Sequence, residues 1–166
     1  MTADIRLQFS RQYDVESAVI AWGTQGKFSH VDAVLSDDSL TGARSDVVVT
    51  ATATYDAGVQ NRCANYAHWK YVTVLCVAVP KAQQMAFYDF VQSQIGKPYD
   101  SADIWDIVVG GRERDWRADD SWICSELLTV ALEQAQVFKP ALVSASKISP
   151  DALYFACSIA GFQALP

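Results

Sequence analysis

Residues 71–79 constrain the fold of this chain more than any other segment. They form a mostly apolar run, YVTVLCVAV, whose many β-branched side chains predict a buried strand. The run is about half as long as a helix that spans a membrane, so no integral membrane segment is expected. Pro80 ends the run and suits the first turn of a helix, which predicts a sheet strand followed directly by a helix.

The sequence before this run has the patterns of strands joined by turns. Residues 5–9 alternate apolar and polar side chains, which predicts a half-buried strand, and residues 30–35 predict a second strand. Between them, Asp14 is the predicted N-cap of a short helix that ends near Trp22. The turn residues 36–39 predict a hairpin that returns over 40–45. Further strands are predicted over 47–55 and 58–62.

The sequence after Pro80 has mainly helical patterns. Two serines are predicted N-caps: Ser121 for a helix with one apolar face that runs to about Gln136, and Ser149 for a last helix. Further predicted helices cover 81–95 and 102–109. The β-rich first half and the helix-rich second half predict a single α+β domain over residues 1–166.

The charge balance excludes one large class of partners. The 166 residues include 13 basic and 19 acidic side chains, a net charge of −6, whereas proteins that bind the phosphates of nucleic acids need a basic surface. No nucleic-acid partner is therefore expected. The N-terminal residues have no basic stretch followed by an apolar one, which predicts a cytoplasmic protein. Association with a virion, or release to the cell wall by another route, is the alternative.

The four cysteines are predicted to be free thiols, as in a reducing compartment. No pair has the C-x-x-C spacing of common zinc sites, and neither a metal nor a cofactor is predicted. Cys124 is the candidate nucleophile, because the third position of a helix capped by Ser121 would stabilise a thiolate through free backbone N–H groups. Burial of Cys124 as an inert core residue is the alternative. Cys76 and Cys157 lie in apolar segments, and Cys63 follows a predicted strand.

Two histidines are available as a general base. His30 opens a predicted strand, which would hold its ring rigidly. His68 lies in a polar and aromatic connection and is predicted to be a surface residue. His30 is therefore the candidate base, with a purely structural role as the alternative.

A third polar group should hold the second nitrogen of the imidazole. The predicted hairpin places Ser45 opposite His30, and a shift of one residue places Asp46 there instead. Asp32 ranks third, since it lies on the same strand face as His30 but about 7 Å further along the strand. A backbone carbonyl or a water molecule is the remaining alternative.

Three segments together resemble the NlpC/P60 superfamily of papain-like cysteine hydrolases. They are FSHVDAV from Phe28, IGKPYD from Ile95 and WICSELL from Trp122. The histidine segment precedes the cysteine segment, as in the circularly permuted branch that includes YiiX-like bacterial proteins and the lecithin retinol acyltransferase group. Some patterns also resemble small phage and prophage proteins of this branch.

The resemblance implies a permuted papain-like fold, in which an antiparallel sheet packs against helices. It implies Cys124 as the nucleophile at a helix N-terminus, His30 as the base, and a peptide, amide or acyl-ester substrate cleaved through an acyl-enzyme. An acyltransferase that uses the same acyl-enzyme, and a non-catalytic binding module, are the alternatives. Many permuted members have an acidic residue or a second histidine on the strand after the histidine. Here residues 41–45 contain neither, and Asp46 is the first carboxylate.

Overall fold

The computed structural model describes residues 1–34, 48–54, 58–63, 68–98, 121–139 and 148–165. Within these ranges an antiparallel sheet packs against four helices, an α+β architecture. The strands are β1 (Thr2–Gln12), β2 (His30–Val34), β3 (Val48–Thr54), β4 (Gly58–Cys63), β5 (Trp69–Pro80) and β6 (Gln163–Ala164). The helices are α1 (Val15–Gly23), α2 (Lys81–Ser93), α3 (Cys124–Gln134) and α4 (Pro150–Ile159).

Strand β1 is an inner strand of the sheet, whose order is β4-β3-β2-β1-β5-β6. It pairs antiparallel with β2 on one edge and with β5 on the other. The alternation of residues 5–9 predicts one solvated face, but Gln8 and Ser10 are buried as well as Leu7 and Phe9. This difference follows from the central place of β1, which an alternating pattern does not reveal.

Strand β2 has β3 as its second neighbour, and the predicted hairpin register is wrong. Ala33 lies opposite Thr50, whereas the predicted hairpin would place it opposite Gly42. The other edge of Ala33 is paired with Leu7 of β1, so Leu7 and Thr50 are its two partners in the sheet. The β-branched segment of β3 supplies the partner, because turn residues alone do not determine which later strand pairs. The predicted return strand and the helix over 102–109 lie outside the described residues.

Two of the predicted helix starts are confirmed. The carboxylate of Asp14 accepts a hydrogen bond of 2.6 Å from the backbone N–H of Ser17, which caps α1. The hydroxyl of Ser149 accepts one of 3.2 Å from Ala152 N–H, which caps α4. Each cap satisfies a backbone donor that the first turn of a helix leaves unpaired.

The hydrophobic core joins the sheet to the helices. Side chains from β1, β2 and β5 meet apolar side chains from α2, α3 and α4, and the most deeply buried are Ile5, Leu7, Phe9, Val31, Leu75, Phe87, Leu127, Leu128, Leu132 and Leu153. This core fixes α3 against β2 and β3. In the described ranges, no helix is long and apolar enough to cross a membrane.

Candidate active site

Helix α3 begins at Cys124, three residues after the predicted cap. Ser121 is not the N-cap, because the chain stays extended through Ile123, which takes that position. Tertiary contacts hold the extended segment: Trp122 N–H donates to the carbonyl of Pro98 at 3.1 Å, and its buried indole donates to Gln94 Oε1 at 3.0 Å. Cys124 therefore occupies the first helical position rather than the third. Its backbone N–H is one of those without a partner inside the helix.

The segment after α2 forms backbone hydrogen bonds with β4 and with the residues just before α3. Gly96 N–H donates to the carbonyl of Val59, and Val59 N–H donates to the carbonyl of Lys97, both at 2.9 Å. Gly58 has a φ of +68°, and a Cβ there would collide with the Lys97 carbonyl, so the backbone approach requires glycine. The G-K-P part of the sequence motif thus helps to place Trp122 and, with it, Cys124.

His30 is the first residue of β2, on the edge that pairs with β1. Ser29 N–H donates to the carbonyl of Ser10 at 3.0 Å, and Ser10 then lies opposite His30 in the ladder. Within the sheet, His30 Nε2 lies 2.9 Å from Oδ1 of Asp32. The His30 side chain is 14% exposed, while that of Asp32 is fully buried.

Cys124 is the other group that acts on the imidazole of His30, since its interaction with the ring is among the causes that raise the pKa of His30. Because Nε2 faces Asp32, the other nitrogen, Nδ1, is the one available to the thiol. Burial lowers the pKa of His30, but the charges and hydrogen bonds of Asp32 and Cys124 raise it more, and the pKa lies well above its ordinary value of 6.5. The imidazole is thus held toward its protonated form between a carboxylate and a thiol.

The third group beside His30 in the structure is Asp32. Ser45 and Asp46, the two residues ranked first from the sequence, lie outside the described residues. The hairpin register that led to Ser45 is contradicted at Ala33, whose partner on this edge is Thr50. The distance of about 7 Å between alternate strand residues refers to the backbone. The two side chains lie on the same strand face and point toward each other, so their polar atoms come within hydrogen-bond distance.

Gln8 and Ser10 are polar neighbours of this pair that the sequence did not single out. In the ladder between β1 and β2, Gln8 lies opposite Asp32 and Ser10 opposite His30. Both are buried, and among the described residues Gln8 Nε2 and Ser10 Oγ have no hydrogen-bond partner. Opposed residues share a sheet face, so polar side chains flank the imidazole on β1. In the sequence, Gln8 and Ser10 have the pattern of solvent-exposed positions in an alternating strand, so nothing marked them as neighbours of the imidazole.

Among the described residues, the thiols of Cys76 and Cys157 have no comparable surroundings. Burial raises the pKa of Cys157, which lies inside α4, far above the ordinary range. Burial is also the largest cause that raises the pKa of Cys76 on β5, and Cys63 ends β4. His68 is exposed just before β5. Trp122 is 4% exposed and packs edge-on against Phe90, so it belongs to the core and does not line an open cleft.

Comparisons with known proteins concern the fold. No family model matches the chain, and no curated protein matches it. Among solved structures, the chain is similar to the metalloprotein yiiX (DUF1105) from Escherichia coli O157:H7. The TM-score is 0.56 and the identity 15%, over 98% of this chain and 95% of that chain.

A metal site does not fit the residues that this structure describes. The yiiX protein is called a metalloprotein, but in the described ranges no three His, Cys, Asp or Glu side chains are grouped so that they could hold an ion. His30 directs one ring nitrogen to Asp32 and leaves the other for Cys124. The likeness therefore concerns architecture: this chain has a YiiX-like α+β fold.

Proposed function

We propose that this chain is a thiol hydrolase with a permuted papain-like, NlpC/P60-type fold, which cleaves an amide or ester bond through an acyl-enzyme on Cys124. The observation that carries the proposal is the place of His30, between the buried carboxylate of Asp32 and the thiol at the first position of α3. Nucleophile, base and orienting group thus come from two elements that the core holds together.

The first half of the reaction forms a thioester. His30 holds the proton of Cys124 as an imidazolium, and the thiolate sulfur attacks the substrate carbonyl carbon, so that a C–S bond forms and the carbonyl oxygen becomes an oxyanion. The Cys124 backbone N–H, at the start of α3, is a donor for this oxyanion. The oxyanion then reforms the carbonyl, the bond to the leaving amine or alcohol breaks, and the imidazolium supplies the proton to the leaving group.

The second half regenerates the enzyme. His30 takes a proton from water, the hydroxide attacks the thioester, and the C–S bond breaks to release a carboxylic acid and the thiolate, which pairs again with the imidazolium. Asp32 does not exchange protons in this scheme. Its carboxylate accepts a hydrogen bond from Nε2–H of His30. This bond keeps Nδ1 turned toward the sulfur and stabilises the imidazolium.

An activated ester tests the proposal without knowledge of the natural substrate. Wild-type protein is mixed with p-nitrophenyl acetate, p-nitrophenolate release is followed by absorbance, and acetylated peptides are located by mass spectrometry. We expect one acetyl group on Cys124, followed by slow hydrolysis. The Cys124→Ala variant should form no adduct, while Cys76→Ala, the matched thiol control, should behave as the wild type. Equal nitrophenolate release from the Cys124→Ala and wild-type proteins would contradict the assignment.

The same assay separates a hydrolase from an acyltransferase. When ethanolamine is added, a transferase should pass the acetyl group to the amine or hydroxyl and release nitrophenolate faster, whereas a hydrolase should release mainly acetate. A wild-type protein that never takes up an acetyl group would instead indicate a non-catalytic binding module.

A further inference from the structure

The carboxylate of Asp151 binds the backbone just before His30. Asp151 is the second residue of α4, 124 positions after Lys27 in the sequence. Its Oδ1 accepts a hydrogen bond of 2.8 Å from Lys27 N–H, and its Oδ2 accepts one of 3.0 Å from Phe28 N–H. Both oxygens are therefore used, and a charged acceptor makes these bonds stronger than ordinary ones.

The next residues continue this attachment into the candidate active site. Ser29 N–H donates to Ser10 of β1, so three consecutive backbone donors before His30 have fixed partners. The ring of Phe28 packs against Tyr154, one turn after Asp151, with ring centroids 5.0 Å apart. Helix α4 thus holds the segment before His30 through both a carboxylate and an aromatic contact.

Gly26 leaves the space that the carboxylate occupies. A Cβ at Gly26 would collide with the carboxylate of Asp151. The collision is with the end of one side chain, and the other close neighbour is the hydroxyl of Thr24 at 3.0 Å. Glycine at position 26 is therefore explained by the presence of Asp151 itself, which makes the two residues energetically coupled.

We propose that Asp151 is a positioning residue for His30: by fixing the backbone of Lys27 and Phe28, and with Gly26 leaving it room, it sets the placement of the imidazole beside Cys124. The proposal rests on the proposed function. A displacement of about 1 Å at a reacting pair can cost two orders of magnitude in rate. Hydrogen bonds from Asp151 to the backbone just before His30 can therefore control the reactivity of Cys124, although Asp151 does not contact substrate.

The test is the rate at which iodoacetamide alkylates Cys124, measured by mass spectrometry between about pH 5.5 and 8.5, together with thermal unfolding. The Asp151→Ala variant should react at least about tenfold more slowly than the wild type at pH 6, with a rate that climbs with pH as for an ordinary cysteine. Asp151→Asn, which keeps one acceptor oxygen, should be intermediate. Ser149→Ala is the matched control: it weakens the same helix start but leaves residues 27 and 28 attached, and should keep the wild-type profile.

A double-mutant cycle tests the link to Gly26. Gly26→Ala alone should slow alkylation as Asp151→Ala does, and should add little in the Asp151→Ala background, because the obstructing carboxylate is gone. If Asp151→Ala lowers Tm but keeps the wild-type alkylation profile, Asp151 is merely structural and the proposal is wrong. If wild-type Cys124 itself reacts no faster than Cys76, the proposed function fails and this proposal fails with it.

Discussion

The starts of α3 and α4 differ in their side-chain caps. Both helices have an acidic residue in the first turn, Glu126 in α3 and Asp151 in α4, but at α4 the hydroxyl of Ser149 also caps the helix. At α3, the cap position holds Ile123, whose side chain cannot accept a hydrogen bond, and the first helical residue is Cys124. Replacing a good N-cap by an apolar residue typically costs about 1 kcal/mol, so α3 gives up local stability.

This difference determines which helix start has backbone N–H groups available to a reacting group. The N-terminal N–H groups of α4 are partly satisfied by its own side chains, whereas α3 relies on the core and on the contacts of Trp122 to stay folded. Helix starts without a side-chain cap keep donors that can stabilise a thiolate or an oxyanion. The same contrast separates the two helical cysteines: Cys124 has His30 beside it, while the pKa of Cys157 is raised by burial alone.

The largest expected effect comes from removing the thiol at the start of α3. Cys124→Ala should reduce the steady-state hydrolysis of p-nitrophenyl acetate by at least about 10³-fold, because no other group can form the acyl-enzyme. Cys124 is 2% exposed and belongs to the hydrophobic core, so the loss of its sulfur should lower the free energy of unfolding by about 1–2 kcal/mol. Urea denaturation followed by tryptophan fluorescence measures the second quantity. A variant that unfolds at much lower urea would show that Cys124 is chiefly a core residue.

The next effect concerns the carboxylate beside His30. Asp32→Asn keeps the size of the side chain and an oxygen that can accept from Nε2–H, but it removes the charge that raises the pKa of His30. Hydrolysis should slow by about 10²-fold, the lower end of what general acid–base catalysis contributes. Ser10→Ala, on the neighbouring strand and the same sheet face, is the control and should change the rate little. Unchanged hydrolysis in Asp32→Asn would mean that the charge of Asp32 does not contribute to catalysis.

The same variant should change how stability depends on pH. The pKa of His30 is raised in the folded protein, so protonation of His30 contributes stability that is fully present below the unfolded pKa of about 6.5 and is lost as pH rises through the folded pKa. The difference in unfolding free energy between wild type and Asp32→Asn should therefore be largest near pH 5.5 and smaller near pH 9. Urea titrations across this range measure it, and a constant difference would be the contrary result.

A smaller effect is expected at the cysteine inside α4. Cys157 is fully buried, so Cys157→Ala should lower the free energy of unfolding by about 1–2 kcal/mol through the cavity it leaves. In the Cys157→Ala variant, the rate at which iodoacetamide alkylates Cys124 should match that of the wild type. A loss of Cys124 labelling without a loss of stability would contradict the contrast drawn between the two helices.

The smallest effect is expected at the cap of α4. Ser149→Ala removes the hydroxyl that accepts from Ala152 N–H and should cost about 1 kcal/mol. Acylation of Cys124 by p-nitrophenyl acetate should stay within about twofold of the wild-type rate, because this cap serves the helix alone. A large loss of acylation would show that the two helix starts are not independent.

Local patterns were enough to predict much of the fold. The strand over 71–79, the helix after Pro80 and the caps Asp14 and Ser149 all follow from preferences that act within a few residues. The prediction that this strand is buried was wrong, because only Leu75 and Val79 in it are buried and Tyr71 and Val72 are exposed. The pairing of a histidine on a strand with a cysteine at a helix start was also expected, and the structure brings His30 and Cys124 together. Their catalytic role stays a prediction.

Contacts between distant residues decided the rest. The hairpin register failed because Ala33 is paired on one edge with Leu7 and on the other with Thr50, a choice that no turn residue encodes. The cap of α3 was misplaced because Pro98 and Gln94 hold Trp122 in an extended segment. Asp32 bonds the imidazole because side-chain directions, not strand spacing, set that distance.

The sequence by itself thus determined the element types, two helix caps and the candidate cysteine and histidine, because hydrophobic period, capping and β-propensity are short-range properties. Only the tertiary structure decided that Gln8 and Ser10 are buried beside the imidazole and that Asp151 holds the backbone before it. These facts depend on which strands become neighbours and which helix start meets which loop. Such choices are made by burial of the whole core, to which segments far apart in the sequence contribute together.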